Sequence, residues 1–298
     1  MSLNSEIRTQ KSKIFILLIL LGIGYGGMGC AGKRMDEMKV PYWTGKYPLM
    51  VIAHRGFSGV APENTLSAFK KAIEIGSDMV ELDVHLSKDG KLVVIHDETL
   101  ERTTNGRGRV TDSTLKELKA LDAGSWFGAQ FSGEKIPSLR DVLDLAKGRV
   151  LVNIEIKHPN HGLYLITELA DQALKETKNA GMVSGVIFSS FNPEALEWIK
   201  KIEPLARVAV LYNHPWSALA EVTGGQDYRV LNLRKSHLTK DKIIKIHDQG
   251  MKINVYTVNS EEKMEQFVRW KADGIISNHP DRLIRILEKT YPATPAAL

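Results

Sequence analysis

From residue 49 onward, short aliphatic runs alternate with longer stretches in which apolar residues recur at helical spacing. Short runs bounded by turn residues predict buried β-strands, and the amphipathic stretches predict helices that cover a sheet. Repeated alternation of the two predicts an α/β protein with a parallel sheet. The predicted strands are Leu49–Ala53, Met79–Val84, Leu92–Ile95, Val150–Ile156, Gly185–Ser189, Arg207–Leu211, Arg229–Leu233, Lys252–Val258 and Gly274–Ser277.

Polar residues stand at the start of several helical stretches, where their side chains can accept hydrogen bonds from free backbone N–H groups. The predicted helices are Leu66–Ile75 after Asn64-Thr65, Asp112–Leu121, Ser138–Ala146, Glu194–Ile202 after Asn192-Pro193, Lys240–Gln249 after Thr239, and Lys263–Trp270 after Ser260.

The third predicted strand cannot be parallel to the second, because too few residues separate them. A parallel crossover needs a dozen or more residues, whereas Ser87-Lys88-Asp89-Gly90 is a turn sequence. Leu92–Ile95 therefore forms a hairpin with Met79–Val84, which is expected to place His96 next to Glu81. The other eight strands predict a single (β/α)8 TIM barrel, with this inserted β-hairpin and a loop and helix insertion before the strand that carries Glu155.

The N-terminal segment, residues 1–30, has the features of a secretory signal. Basic residues precede the apolar run Ile14–Leu21, and small residues follow it up to Cys30. The run is shorter than the roughly 20 residues that span a bilayer. Cys30 resembles the lipidation site of bacterial lipoproteins, although an uncleaved anchor helix and an ordinary cleaved signal remain alternatives. We expect an extracytoplasmic, membrane-anchored protein, with a linker over residues 31–48 and one domain over residues 49–290.

Composition narrows the class of protein further. The chain has 298 residues, 43% hydrophobic and 25% charged, so neither a disordered chain nor a polytopic membrane protein is indicated. The formal net charge of +5 is not concentrated in a basic block, which argues against a nucleic-acid partner. With a single cysteine, no internal disulfide can form.

Charged side chains occupy two predicted barrel strands where apolar residues would be expected. Residues two apart in a strand share a face, so Glu81 points the same way as Asp83, and Glu155 the same way as Lys157. Three carboxylates without nearby cysteines favour a hard divalent cation, Ca²⁺ or Mg²⁺. Without a cation they would repel one another. A divalent ion and a phosphodiester would balance the charge of these groups with Arg55 and Lys157.

Two histidines complete the candidate chemistry. His54 ends the first strand and His96 follows the hairpin strand, and an imidazole titrates near neutral pH, which suits proton transfer. The planar guanidinium of Arg55 and the ammonium of Lys157 are suited to phosphate oxygens. Together these groups predict metal-assisted cleavage of a phosphodiester.

The chain resembles the glycerophosphodiester phosphodiesterase family from about residue 50 to 286. The matching motifs, in family order, are Ala53-His54-Arg55-Gly56, Ala61-Pro62-Glu63-Asn64-Thr65, Glu81-Leu82-Asp83-Val84, His96-Asp97, Arg102-Thr103-Thr104-Asn105-Gly106, Ile136-Pro137-Ser138-Leu139, Glu155-Ile156-Lys157, Ser189-Ser190-Phe191, Val255-Tyr256-Thr257-Val258-Asn259 and Asp273-Gly274-Ile275-Ile276. Two positions depart from the pattern: Tyr256 stands where tryptophan is common, and Ser277-Asn278-His279-Pro280 replaces Thr-Asp-Arg-Pro.

The resemblance implies a (β/α)8 barrel that hydrolyses glycerophosphodiesters to sn-glycerol 3-phosphate and an alcohol. It implies that Glu81, Asp83 and Glu155 hold one divalent cation and that His54 and His96 form the catalytic pair. Arg55 and Lys157 would hold the phosphate, and Glu63 would brace Arg55 or contact the site.

Other functions and several details stay open. The same site could act on lipid phosphodiesters as a lysophospholipase D or phospholipase D-like enzyme, or the chain could be a membrane-tethered glycerophosphodiester-binding protein. The choice of alcohol and of Ca²⁺ or Mg²⁺, the acid and the base among the histidines, attack by water or by a glycerol hydroxyl, and the oligomeric state are not determined by the sequence.

Overall fold

The structure is a computed structural model that describes residues 45–157, 165–213 and 228–292. The predicted signal segment with Cys30, and the linker up to residue 44, lie outside the described residues, so their prediction stays untested. His158, His161 and His214, which we expect to be loop or surface residues, also lie outside them. No helix within the described ranges combines the length and apolar character needed to cross a bilayer.

Eight parallel strands close into a barrel, which confirms the fold expected from the strand–helix alternation. The strands, numbered along the chain, are β1 Met50–His54, β2 Met79–Leu86, β3 Leu92–Val94, β4 Leu151–Ile156, β5 Val186–Ser190, β6 Arg207–Tyr212, β7 Val230–Arg234, β8 Lys252–Tyr256 and β9 Gly274–Ser277. Going round the barrel the order is β1-β9-β8-β7-β6-β5-β4-β2, and β2 pairs back with β1.

Helices follow most of these strands, and their buried faces join the outward-facing strand residues in one apolar core. The helices of the described residues are α1 Leu66–Glu74, α2 Leu115–Ala120, α3 Leu139–Ala146, α4 Ile166–Asn179, α5 Pro193–Ile202, α6 Lys240–Asp248, α7 Glu261–Arg269 and α8 Pro280–Thr290. Most of the capping predictions hold: the side chains of Thr65, Ser138, Asn192 and Thr239 each accept a backbone N–H at the start of a helix.

The predicted hairpin is present, since β3 runs antiparallel to β2 outside the barrel, with Val84 opposite Val94. The placement of His96 next to Glu81 needs a correction. The N–H of Ile95 donates to the carbonyl of Asp83 at 3.1 Å. This pairing places the residue just before His96 beside Asp83. Within the carboxylate cluster, His96 acts on Asp83 and Glu155, whose pKa values its charge lowers.

The insertion between β3 and β4 is built around a small apolar core of its own. The predicted helix Asp112–Leu121 is shorter in the structure, because Ser113 is extended and Thr114 forms a capping box with Glu117 that starts α2 at Leu115. Asp112, the first residue of the predicted helix, instead ends a short 3-10 turn, Val110–Asp112.

The alternation of faces along β2 explains how charged residues reach the barrel interior. Val80, Leu82 and Val84 point outward into the core beneath the helices. Glu81 and Asp83, at the intervening positions, therefore point into the barrel. They lie toward the carboxyl end of the strand, which is the end where TIM-barrel enzymes carry their active sites.

Candidate active site

Three carboxylates from two adjacent strands converge at the carboxyl end of the barrel. β2 supplies Glu81 and Asp83, and β4 supplies Glu155, which lies directly opposite Asp83 in the parallel register. All three residues are buried, and each offers an oxygen within 4.8 Å of the others. The structure thus brings together the three residues that the sequence predicts as metal ligands.

The electrostatics of this cluster fit a cation. Burial raises the pKa of Glu81 well above its usual value, and the charges of Asp83 and Glu155 raise it further. Burial also raises the pKa of Glu155. Oδ1 of Asp83 is buried and accepts no hydrogen bond within the described residues. Crowded carboxylates with an unsatisfied oxygen are what a hard divalent ion needs as ligands, so this acidic cluster could bind a metal ion.

Two cationic side chains flank the carboxylates. Nζ of Lys157 lies 2.8 Å from Oε1 of Glu155 and 3.5 Å from Oδ1 of Asp83. Nε of Arg55 lies 3.4 Å from Oδ2 of Asp83. Burial alone would raise the pKa of Asp83, but the charges of Lys157 and Arg55 outweigh burial and hold that pKa well below its usual range. Asp83 is therefore ionised at neutral pH.

The turn after β1 presents both His54 and Arg55 to this cluster. Arg55 and Gly56 both have left-handed backbones, with φ of 56° and 79°. At Gly56 a Cβ would lie 2.7 Å from the carbonyl carbon of Ala68 in α1, so only glycine fits there. The turn directs the N–H of Arg55 to Oε2 of Glu81 at 2.9 Å. This hydrogen bond ties the carboxylate of Glu81 to the end of β1, the strand that carries His54.

His54 is held in one orientation at the edge of the carboxylate cluster. Its Nδ1 lies 2.6 Å from Oδ1 of Asn278, which can only accept a hydrogen bond, so Nδ1 carries the proton. Its Nε2 lies 4.0 Å from Oε2 of Glu81. Burial, and then the nearby charge of Arg55, lower the pKa of His54 to about 4. The ring is therefore neutral at pH 7, with a free lone pair on Nε2.

His96 has an acidic partner instead of an amide. Its Nδ1 lies 2.6 Å from Oδ1 of Asp97. A hydrogen bond from Arg102 is the main reason that the pKa of Asp97 falls to about 2. From the other side, Nε2 of buried His85 lies 3.0 Å from the backbone carbonyl of His96.

Glu63 braces Arg55, as the resemblance allowed. Oε1 of Glu63 accepts a hydrogen bond from Nη1 of Arg55 at 2.7 Å. Both oxygens of Glu63 also accept hydrogen bonds from Arg102.

An aromatic pair forms a wall of the site near Glu155. The rings of Phe191 and Tyr256 meet edge to face with centroids 6.3 Å apart. The hydroxyl of Tyr256 donates to the carbonyl of Tyr212 at 3.1 Å. Burial, with a contribution from Glu155, raises the pKa of Tyr256, so this wall is neutral at physiological pH.

Four polar residues whose side chains bond those of the predicted site residues were not themselves predicted from residue type. They are Asn64, Asp97, Arg102 and Asn278, and each lies within or beside a motif quoted above. Asn64, expected to cap α1 together with Thr65, instead donates from Nδ2 to Oδ2 of Asp83 at 2.9 Å, with its backbone at φ 57°. Sequence position alone could not separate its contact with Asp83 from helix capping.

Comparison with known proteins places these residues in a named family. Residues 54–282 match the model of the glycerophosphoryl diester phosphodiesterase family. The chain is 41% identical over 245 residues to a glycerophosphodiester phosphodiesterase of Caldanaerobacter subterraneus subsp. tengcongensis, covering 80% of this chain and 98% of that protein. A glycerophosphodiester phosphodiesterase of Bacillus subtilis is 34% identical over 265 residues, covering 82% and 87% of the two chains.

A solved structure from the same comparisons carries a reaction product. It is a phosphodiesterase of Oleispira antarctica in complex with the product sn-glycerol-3-phosphate. That structure is similar to this chain with a TM-score of 0.72 and 33% sequence identity, over 80% of this chain and 96% of its own.

Proposed function

This chain belongs to the glycerophosphoryl diester phosphodiesterase family and is a phosphodiesterase, and we propose that it hydrolyses glycerophosphodiesters by acid–base catalysis between His54 and His96. The products would be sn-glycerol 3-phosphate and an alcohol. The product bound to the Oleispira antarctica relative supports this choice of substrate class. The observation that carries the proposal is the position of the two imidazoles beside one cluster of carboxylates and cations.

The proposed cofactor is one divalent cation, Mg²⁺ or Ca²⁺, held by Glu81, Asp83 and Glu155. When bound, it supplies positive charge that polarises the phosphodiester and offsets the charge that develops on its oxygens. The mutual repulsion of the three buried carboxylates, which raises the pKa of Glu81, supports this assignment.

Arg55 and Lys157 would bind the two non-bridging phosphoryl oxygens. Both side chains lie beside the carboxylates, where their charge is retained. Because negative charge on these oxygens grows as phosphorus becomes five-coordinate, fixed cations stabilise the transition state more than the bound substrate.

We assign His54 as the base. Its Nδ1–H is engaged with Asn278, which leaves Nε2 free to accept a proton, and its lowered pKa keeps the ring neutral. The proton comes from the attacking hydroxyl, which is either water or the neighbouring hydroxyl of the glycerol moiety. In the second case a cyclic phosphate forms and water then opens it.

We assign His96 as the acid. His54 is assigned to the base, and the carboxylate of Asp97 accepts a hydrogen bond from Nδ1 of His96, which leaves Nε2 of His96 for the leaving group. The protonated ring would transfer its Nε2 proton to the departing alcohol oxygen. A leaving alcohol such as choline or ethanolamine needs this proton, because an unprotonated alkoxide is a poor leaving group.

We also propose that residues 1–30 direct the domain out of the cytoplasm and tether it to the membrane through Cys30. The basic start, short apolar run and small residues before that cysteine support this. Expression in a bacterial host should place the protein in the membrane fraction, and Cys30→Ser should release it into the soluble extracytoplasmic fraction. Membrane attachment unchanged in Cys30→Ser would overturn the lipidation assignment.

A substrate panel with the full chain tests the proposed function. Glycerophosphocholine, lysophosphatidylcholine and glycerol 2-phosphate would be compared after chelation and again after Mg²⁺ or Ca²⁺ is restored. We expect cation-dependent release of choline from glycerophosphocholine and no turnover of the monoester. Faster turnover of lysophosphatidylcholine would indicate a lipid phosphodiesterase, and cation-dependent binding without turnover would indicate a binding protein.

A further inference from the structure

Arg102 joins two carboxylates that each hold a residue of the proposed reaction. From this geometry, and resting on the function proposed above, we propose that Arg102 is a positioning residue: it holds Asp97 against His96 so that His96 can protonate the leaving alcohol. Arg102 itself touches neither the carboxylate cluster nor the histidines among the described contacts, so it would act only through its partners.

The guanidinium of Arg102 donates four hydrogen bonds to two acids. On one side, Nε and Nη2 donate to the two oxygens of Asp97 at 2.5 Å and 3.0 Å. On the other, Nη1 and Nη2 donate to the two oxygens of Glu63 at 2.9 Å and 2.8 Å. Two bidentate contacts on one planar group fix the plane and the rotation of both carboxylates.

Each of these carboxylates then reaches a residue of the active site. Oδ1 of Asp97 lies 2.6 Å from Nδ1 of His96, and Oε1 of Glu63 lies 2.7 Å from Nη1 of Arg55. A continuous path of hydrogen bonds therefore joins the proposed acid to the proposed phosphate-binding arginine through Arg102. Without Arg102 this path would be broken between Asp97 and Glu63, and among the described residues Glu63 would keep only Arg55 as its cationic partner.

Hydrogen bonds within the loop that carries Arg102 stabilise its conformation. Both the N–H and the hydroxyl of Thr104 donate to the carbonyl of Leu100, at 3.1 Å and 2.6 Å. The N–H of Gly106 donates in turn to the hydroxyl of Thr104 at 2.9 Å, and Leu100 is buried in the core of the insertion. Arg102 is 44% exposed, so the loop and the two acids, rather than tight packing, determine its position.

Loss of Arg102 should affect one chemical step more than the others. Asp97 would lose its bidentate partner and could turn from His96, so protonation of the leaving group would slow. Arg55 would keep its direct bond to Glu63, so binding of the phosphate would change less. A substrate whose leaving group departs as a stable anion needs no proton and should hardly be affected.

The test compares two glycerol 3-phosphate diesters in the full-length enzyme with its cation. Glycerophosphocholine needs a proton on the leaving alcohol, and the p-nitrophenyl ester releases a stable phenolate. We expect Arg102→Ala to lower kcat roughly 10- to 100-fold on the choline ester and less than about threefold on the nitrophenyl ester. Asp97→Asn should show the same selectivity. Arg107→Ala, in an exposed position of the same insertion, should match the wild type on both.

Equal losses on both substrates would overturn the proposal, because they would indicate a general structural or phosphate-binding role. An unchanged kcat on both would overturn it too. If Arg102→Ala does not fold, Arg102→Lys replaces it: lysine keeps the charge but lacks the fork that bonds both acids, and the same selective loss is expected. A wild-type enzyme inactive on both esters would instead refute the proposed function itself.

Discussion

Nδ1 of His54 lies 2.6 Å from the side-chain oxygen of Asn278. The two residues come directly from the ends of β1 and β9, which are neighbours in the barrel. Because the partner is a neutral amide, it fixes the orientation and the proton position of His54 without adding charge. Burial then keeps the pKa of the ring near 4, which suits a residue that must be unprotonated when the substrate arrives.

Asn278→Asp should therefore move the acid limb of the pH profile of kcat/KM upward. A carboxylate at this distance favours the charged imidazole, and such a charge raises a histidine pKa by about 1 to 3 units. The wild-type base is neutral above its pKa, so in assays saturated with the cation the protonation of His54 should reduce activity only as pH falls through about 4. In the variant, the loss should begin at a higher pH.

The matched control is Asn179→Asp, the same chemical change at the exposed end of α4. It should leave the acid limb where it is in the wild type. An acid limb in Asn278→Asp that coincides with the wild-type limb would contradict the assignment of His54 as the titrating base.

Much of this arrangement could be predicted from the sequence, because it depends on strand periodicity. Glu81, Asp83 and Glu155 stand out since a strand alternates its faces and a barrel strand should be apolar inside. The antiparallel β3 follows from the length of the turn before it. Both are local properties of the chain, which is why the structure confirms the hairpin and the convergence of the acids.

The remaining features depend on contacts between distant segments. Asn278 lies 224 residues from His54, and Arg102 lies 39 residues from Glu63. Polar residues in such loops look like ordinary turn or capping residues until the fold brings them together. The start of α4 is also not predictable, because its N-cap residue is Leu165, which has no side chain that can cap a helix.

The buried carboxylate cluster predicts how the stability of the protein changes with pH. Without a cation, the raised pKa of Glu81 means that the folded protein holds this proton more tightly than the unfolded chain does. The stability that this proton contributes at acidic pH should therefore be lost as pH rises from about 4.3, the usual pKa of a glutamate, through the raised pKa of Glu81. In chelator, Glu81→Gln should remove much of this loss, measured as Tm between pH 4.5 and 8.

Addition of Mg²⁺ or Ca²⁺ should give the wild type a higher Tm than Glu81→Gln, which reverses the order expected in chelator. A cation at about 100 times its Kd stabilises the wild type by about 2.7 kcal/mol, or roughly 5–10 °C in Tm for a domain of this size. Glu81→Gln should gain far less, while the exposed control Glu265→Gln should gain as much as the wild type. Equal gains in all three would contradict a cation site at Glu81.

The close approach of Gly56 to α1 predicts the cost of a substitution in the turn that presents His54 and Arg55. Gly56→Ala should cost more than the about 1–2 kcal/mol that a left-handed backbone costs an alanine, because its Cβ would also collide with α1. Gly90→Ala is the matched control, since Gly90 has φ of 68° and open space around it. Denaturant unfolding should show the larger loss for Gly56→Ala, and equal losses would contradict the steric argument.

If His54 and His96 exchange protons with one phosphodiester, their loss should slow the turnover of glycerophosphocholine, which ³¹P NMR follows through its phosphorus product. We predict sn-glycerol 3-phosphate as the phosphorus product. His54→Ala and His96→Ala should each lower kcat by about 10²–10⁴-fold at unchanged Tm, whereas His247→Ala should remain active, because His247 pairs with Asp273 at the opposite end of the barrel. Phosphocholine as the product, or near-normal turnover by either of the first two variants, would be incompatible with acid–base catalysis by these two histidines.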